Sequence, residues 1–304
     1  MSRLQHSNNS PIAKSKPGRH RPPLGLRYAA DLRSLALLAA LGTCLFLLWT
    51  GWLRSGWIFA LSLPLAFSAC SVAHNHIHLP MFRSRKANSA FSCLLGFFCG
   101  QPPCGIIDAH NVRHHGKLGT EADFVRPSVA RFRWNWINVA TFPLAATVAM
   151  YRSKAREPAT ARRPSRQRLA ERTLFHGGVT ALLLADASAT LLYLAVPWLF
   201  GQFCIVGINL VQHQGCDPDS HWDHSRNITG AATNWLTLNG GFHTAHHRHP
   251  ALHWSLLPDF HRRVVVPRTA PELQFRSLAS AVFARMCAPV PDRPPAKAQP
   301  QNGT

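Results

Sequence analysis

The sequence predicts an all-α integral membrane protein. About four transmembrane helices form two hairpins, with interfacial helices between them and a histidine-rich cap on the cytoplasmic side. Three observations predict this. Uncharged apolar runs alternate with dense Lys/Arg stretches, so a mean hydropathy of −0.05 averages two unlike kinds of segment. The basic residues, which bring the net charge to +20, flank the apolar runs as the positive-inside rule places them. Histidines gather into tight clusters just outside those runs.

The first hairpin is the plainest element. Leu35 to Leu53 is apolar, Arg54 interrupts, and Ser55 to Ala73 is apolar again. Each run approaches the ~20 residues that cross ~30 Å of hydrocarbon. Arg19, Arg21, Arg27 and Arg33 precede them and place the N-terminus in the cytoplasm. The second helix then returns to that side, where His74 follows. Thr173 to Gln212 is long enough for the second hairpin, folded back near Pro197. Asp186 interrupts this stretch. An acid there is either functional or interfacial, and the interfacial reading is preferred.

Ala90 to Ile107 and Trp134 to Tyr151 are also apolar, but they read as interfacial or re-entrant. Crossing by one alone would put histidine clusters in different compartments. Crossing by both would strand the second cluster outside. The loop carrying Arg152, Lys154, Arg156, Arg162, Arg163, Arg166, Arg168 and Arg172 belongs in the cytoplasm. Gly96, Gly100, Pro102, Pro103 and Gly105 make the first segment a poor spanning helix in any case. The domain reading is a disordered basic tail over 1–30, a membrane domain over 31–265, and a cytoplasmic segment over 266–304 that is Pro-rich and disordered at its end. The N-terminus does not read as a cleavable signal.

Composition excludes several classes. No zinc-finger spacing, RNP motif or basic-aromatic stripe points to nucleic acid. The cysteines form no CxxC pair and no secreted-scaffold spacing.

Three histidine clusters carry the chemistry: His74-Asn-His-Ile-His78, His110-Asn-Val-Arg-His114-His115 and His243-Thr-Ala-His246-His247. Asn209-Leu-Val-Gln-His213 ends the last apolar run. Residues at i, i+3 and i+4 share a helical face. His74 therefore pairs with His78 and His110 with His114, with His115 turned to one side. His76 is out of phase with its cluster's face and reads as support rather than ligand. Imidazole suits iron, zinc and copper. So many imidazoles exceed one four-coordinate zinc, and two metals are the economical reading. Zinc protease chemistry wants Glu after the first His; Asn75 and Asn111 stand there instead. His6, His20, His176 and His261 read as ordinary surface residues.

At these residues the chain resembles the membrane fatty-acid desaturase and hydroxylase family over about residues 30 to 265. That family carries three such histidine boxes around helical hairpins. The resemblance implies a cytoplasmic cap holding two non-haem iron ions, with O2 as co-substrate. The implied ligands are His74, His78, His110, His114, His115, His213, His243, His246 and His247, with Asn209 acting through a water. Phe82-Arg-Ser-Arg85, Asp223-His-Ser-Arg-Asn227, Asn234-Trp-Leu-Thr-Leu-Asn239 and His253-Trp-Ser-Leu-Leu-Pro258 resemble the bacterial branch. Asp217, Asp219 and Asp223 either orient ligand imidazoles or cap a turn; His221 and His224 share that ambiguity.

The implied activity is desaturation of a fatty-acyl chain, presented as free acid, acyl-CoA, acyl-ACP or lipid. Hydroxylation and oxidative decarboxylation to a terminal alkene are the alternatives on the same scaffold. A non-enzymatic membrane metal-binding protein is the distant one, and it would place its ligands within the spans. The chain carries no cytochrome b5 signature, ferredoxin-type Cys run or nucleotide loop. Electrons are therefore expected from a separate ferredoxin, rubredoxin or cytochrome b5 with its reductase. The basic 152–172 loop is expected to meet anionic lipid or that donor. The expected location is a bacterial inner membrane, with termini and active site cytoplasmic.

Overall fold

The computed structural model describes residues 22–156 and 165–289. Most of the predicted tail, Arg162 and Arg163 of the basic loop, and the Pro-rich end lie outside the described residues, as do His6 and His20.

Helix α1 spans Asp31–Thr50 and α2 spans Gly56–His78. Gly51 ends α1 in the left-handed region at φ 78°, and Ser55 caps α2 by accepting from the Trp57 N–H. The turn between them falls at Arg54, as the charge pattern predicts. Helix α3 spans Arg85–Cys99, and α4 spans Pro103–His114 after a bend of 86°. Gly100 makes that bend at φ +71°. A Cβ there would sit 2.4 Å from Cβ of Trp198, so glycine is required on both counts. Helix α5 spans Asn135–Arg156, α6 Arg166–Ala185 and α7 Ala187–His213.

The second hairpin turns at Asp186 rather than at Pro197. Thr190 Oγ1 donates to the Leu182 carbonyl across the turn at 2.9 Å. Phe175 of α6 lies against Trp198 of α7, with ring centroids 6.0 Å apart. Asp186 accepts from the Ala189 N–H at 2.8 Å and caps α7, which is the work of a helix-start acid. Pro197 stays inside α7. The wider π-turn Leu191–Ala195 precedes it and takes up the missing N–H and the ring's clash with the preceding turn.

Among the described residues α1, α2 and α7 are long and apolar enough to cross a membrane, and the bent α3–α4 pair makes a fourth only if counted as one span. Helix α6 falls short of the expected span because Arg166, Arg168, Glu171 and Arg172 occupy its first two turns. Helix α5 does not qualify either.

The hairpins set the polarity of the bundle. Trp49, near the end of α1, donates to Thr190, near the start of α7, at 2.9 Å. The α1–α2 turn and Asp186 therefore share one end, and the C-termini of α2 and α7 share the other. From Val196 onward α7 packs closely on α2. Gly201 permits the close crossing, since a Cβ there would lie 2.7 Å from the Ala66 carbonyl oxygen.

The remaining elements are short and gather at the histidine end. They are α8 (Ala231–Leu236), α9 (His243–Arg248), α10 (Leu257–Phe260) running into a π-turn (His261–Val265), and α11 (Leu278–Cys287). Strand β1 (Asn227–Ile228) pairs in parallel with β2 (Gln274–Phe275), and the architecture is otherwise helical. Residues 22–30, expected in the disordered tail, are ordered. Leu26 is fully buried, and Arg27 N donates to the Met81 carbonyl at 2.9 Å.

Candidate metal centre

The three boxes and His213 meet at the end where α2 and α7 finish. His74 and His78 lie on the last turns of α2, His110 and His114 on α4 with His115 just beyond it, His213 at the end of α7, and the third box on α9. The nine imidazoles form two groups. His74, His78, His110, His115 and His246 make one; His114, His213, His243 and His247 make the other. Within each group the potential ligand atoms all lie within 4.8 Å of one another.

This partition differs from the pairing expected for the second box. His110 shares a group with His115, and His114 points to the other. Residues 108–114 are wound as a π-helix, and His115 N donates to the His110 carbonyl. A π-turn stacks i on i+5 rather than on i+4, so the box serves both groups. The third box divides similarly, with His246 in one group and His243 and His247 in the other.

The donor atoms fit cations. His213 Nδ1 donates to the His224 carbonyl at 2.9 Å, so its Nε2 carries a lone pair; that atom faces His243 Nε2 at 2.8 Å. His74 Nδ1 donates to Asn75 Oδ1 at 3.3 Å, and its Nε2 faces His110 Nε2 at 2.8 Å. His115 lies 3.0 Å from His110 and 3.1 Å from His246 in the same fashion. Nitrogens sharing a metal at about 2.1 Å sit roughly 3.0 Å apart in an octahedral shell. His78 Nε2 and His114 Nε2 are buried without any hydrogen-bond partner. Converging lone pairs and orphaned nitrogens repel or go unsatisfied until a cation stands among them. Burial first, then repulsion by neighbouring imidazoles, holds His110, His243, His246 and His247 well below the ordinary histidine range, so they are neutral as ligands must be.

Asp123 is the residue that sequence reasoning missed. Its carboxylate is fully buried and accepts from His114 Nδ1 at 3.2 and 3.3 Å, and from the backbone N–H of Gly119 and Val125. It fixes the tautomer that aims His114 Nε2 inward. A lone acid in the loop after the second box has no spacing signature. Of the acids suspected instead, Asp217 Oδ1 accepts from the Asp219 N–H in a turn, and Asp223 Oδ1 accepts from the distant Ala270 N–H. His76 bonds the Met81 N–H and lies near Ser92, away from both groups. His224 is buried beside His247, and exposed His221 meets Arg248. His261, expected on the surface, is buried against Phe242. Asn209 is buried one turn before His213, with its Nδ2 donating to the Val125 carbonyl at 2.9 Å.

The motifs around the boxes hold them in place. Asn227 clasps Thr244 of the third box through both backbone and hydroxyl. Asn234 bridges the Ile228 carbonyl and the Gly241 N–H. Buried Arg226 donates to the Val211 and Gln214 carbonyls and closes the C-terminus of α7 behind His213. His253 and Trp254 both bond Asp31, at 3.1 and 2.9 Å, tying the segment after the third box to the start of α1.

A helical bundle that gathers nine imidazoles at one end defines a membrane-embedded metalloprotein. The fatty acid desaturase family model matches residues 54–276, and the chain belongs to that family of oxidoreductases. No curated protein matches the chain.

Proposed function

We propose that the chain is an O2-dependent di-iron desaturase that introduces a double bond into a fatty-acyl chain. The observation that carries this reading is the division of nine histidines into groups of five and four with their lone pairs converging. Iron at both groups would supply O2 activation and hydrogen abstraction from a methylene. The chain's own residues ligate, orient and exclude water. Asp123 and the His224 carbonyl lock imidazole tautomers. Asn209, one turn before His213, stands ready to hold a water at the smaller group. The spanning helices bring an acyl chain within reach from the bilayer.

Arg166, Arg168 and Arg172 begin α6, whose Glu171 meets the start of α4, and the positive-inside rule assigns that end, with the site, to the cytoplasm. A bacterial inner membrane is the proposed setting. Electrons come from a separate ferredoxin, rubredoxin or cytochrome b5 and its reductase. The basic flank of α6 meets anionic lipid headgroups.

The test is product analysis by gas chromatography–mass spectrometry after expression with fatty acids of different lengths, with iron measured on purified protein. Alkene acids with about two irons per chain support the proposal. Hydroxy acids or a volatile terminal alkene would replace desaturation with hydroxylation or decarboxylation on the same centre. A fully active His246→Ala variant would sink the site assignment.

A further inference from the structure

Arg248 ends α9 immediately after His247. Its guanidinium donates to His221 Nδ1 at 3.0 Å and lies 5.2 Å from the Trp222 ring centroid. Arg268 lies on the same indole at 5.4 Å. Arg248 Nε is buried with no hydrogen-bond partner among the described residues. Among the described residues neither arginine forms an ion pair with a carboxylate. Other surface arginines do: Arg262 and Arg263 both pair with Asp259. Two guanidiniums on one ring, one of them half-buried with a free N–H, make a strongly positive spot without a fixed counter-charge.

A cavity of about 360 Å³ opens beside it, lined by Arg248, His249, Pro250, Ala251 and Leu252. It is an open hollow formed by this one stretch of chain. Arg248 and His249 supply its polar lining, and Pro250, Ala251 and Leu252 its apolar lining. Pro250 and Leu252 also wall a small inner cavity with Val72 and Asn75 and with the buried polar Asp31 and His76. Asn75 accepts from His74 of the larger histidine group. Pro250 and Leu252 thus border both cavities, and Asn75 joins the inner one to the larger histidine group.

We propose that Arg248 and its cavity bind the anionic head of the acyl substrate, with Arg268 adding field and the first methylenes lying on Pro250 and Leu252. The inference rests on the acyl-oxidation reading above. A carboxylate and a carrier-thioester phosphate share the chemistry, since a guanidinium forks onto either.

The experiment uses the iron-loaded enzyme with its reductase chain and compares wild type, Arg248→Gln and Arg248→Lys. Substrates are palmitate, palmitoyl-CoA and uncharged methyl palmitate. Binding of a spin-labelled stearate to the oxidised enzyme is read separately, without turnover. Loss of one charge-assisted contact raises KM for the anionic substrate and weakens stearate binding by about tenfold or more. Methyl palmitate is unaffected, and Arg248→Lys recovers part of the loss. A KM effect confined to palmitate assigns a carboxylate; one confined to palmitoyl-CoA assigns a phosphate. Turnover and stearate binding that are both unmoved in Arg248→Gln would overturn the site. A wild-type enzyme that oxidises no acyl substrate condemns the functional reading instead, and binding of stearate and of palmitoyl-CoA, read without turnover, still decides the anion site.

Discussion

Single side chains decide how the histidines are aimed. Asp123 satisfies His114 Nδ1 and two backbone N–H groups from a fully buried position. Asp123→Ala would leave those donors unpaired and free the imidazole to turn. Metal affinity is expected to fall about 10–100-fold, measured as iron retained by the purified protein after dialysis against a chelator. His76 provides the contrast. It sits inside the first box, but its ring nitrogens face Met81 N and Ser92. His76→Gln is expected to keep the iron content of wild type; loss of half the iron would mean that His76 is a ligand. The pairing of His74 with His78 was legible in the sequence because α2 is a regular helix. The separation of His114 from His110 was not, because spacing alone does not reveal a π-turn.

At the scale of elements, α4 depends on a partner far along the chain. Glu171 of α6 is buried and accepts from the Cys104 N–H at 2.8 Å, which caps the start of α4. Glu171→Ala orphans that N–H at a cost of about 1–3 kcal/mol and loosens the helix bearing the second box. Both the thermal midpoint and the iron content are expected to drop. Asp186 also caps a helix, but at the end remote from the histidines. Asp186→Ala is expected to cost about 1 kcal/mol with iron content unchanged. Equal iron loss in the two variants would refute the idea that Glu171 acts on the site through α4. The position of the second hairpin's turn follows from the same physics. Asp186 offers a cap to new N–H groups, whereas Pro197 is absorbed by a preceding π-turn. Hydropathy treats both simply as interruptions.

For the molecule as a whole, buried neutral histidines link stability to pH. Burial pushes His261 down to about 4, and burial with mutual repulsion lowers His110, His243, His246 and His247 further from the ordinary value. The unfolded chain takes up protons near pH ~6.5, while the folded chain resists until lower pH. Stability from these groups is therefore complete above pH ~6.5 and is lost as pH falls toward their folded values. The thermal midpoint of metal-free protein is expected to fall steadily from pH 7 to 5. A midpoint that rises on acidification would contradict the buried-neutral assignment.

Apolar run lengths, their basic flanks and three dense histidine clusters were enough by themselves to determine a membrane helical protein and the histidines that gather at one end of it. Those signals are local, and local spacing is what a chain displays before it folds. Only the tertiary structure decided the five-and-four division of the imidazoles, the carboxylate behind His114, the cap that Glu171 places on α4, and the placing of Arg248 against His221 and Trp222. Several of these join segments far apart in sequence, as Glu171 and Cys104 lie 67 residues apart and the larger histidine group draws on α2, α4 and α9. Hydrogen bonds and electrostatic contacts at that range depend on angstrom distances that no periodicity encodes.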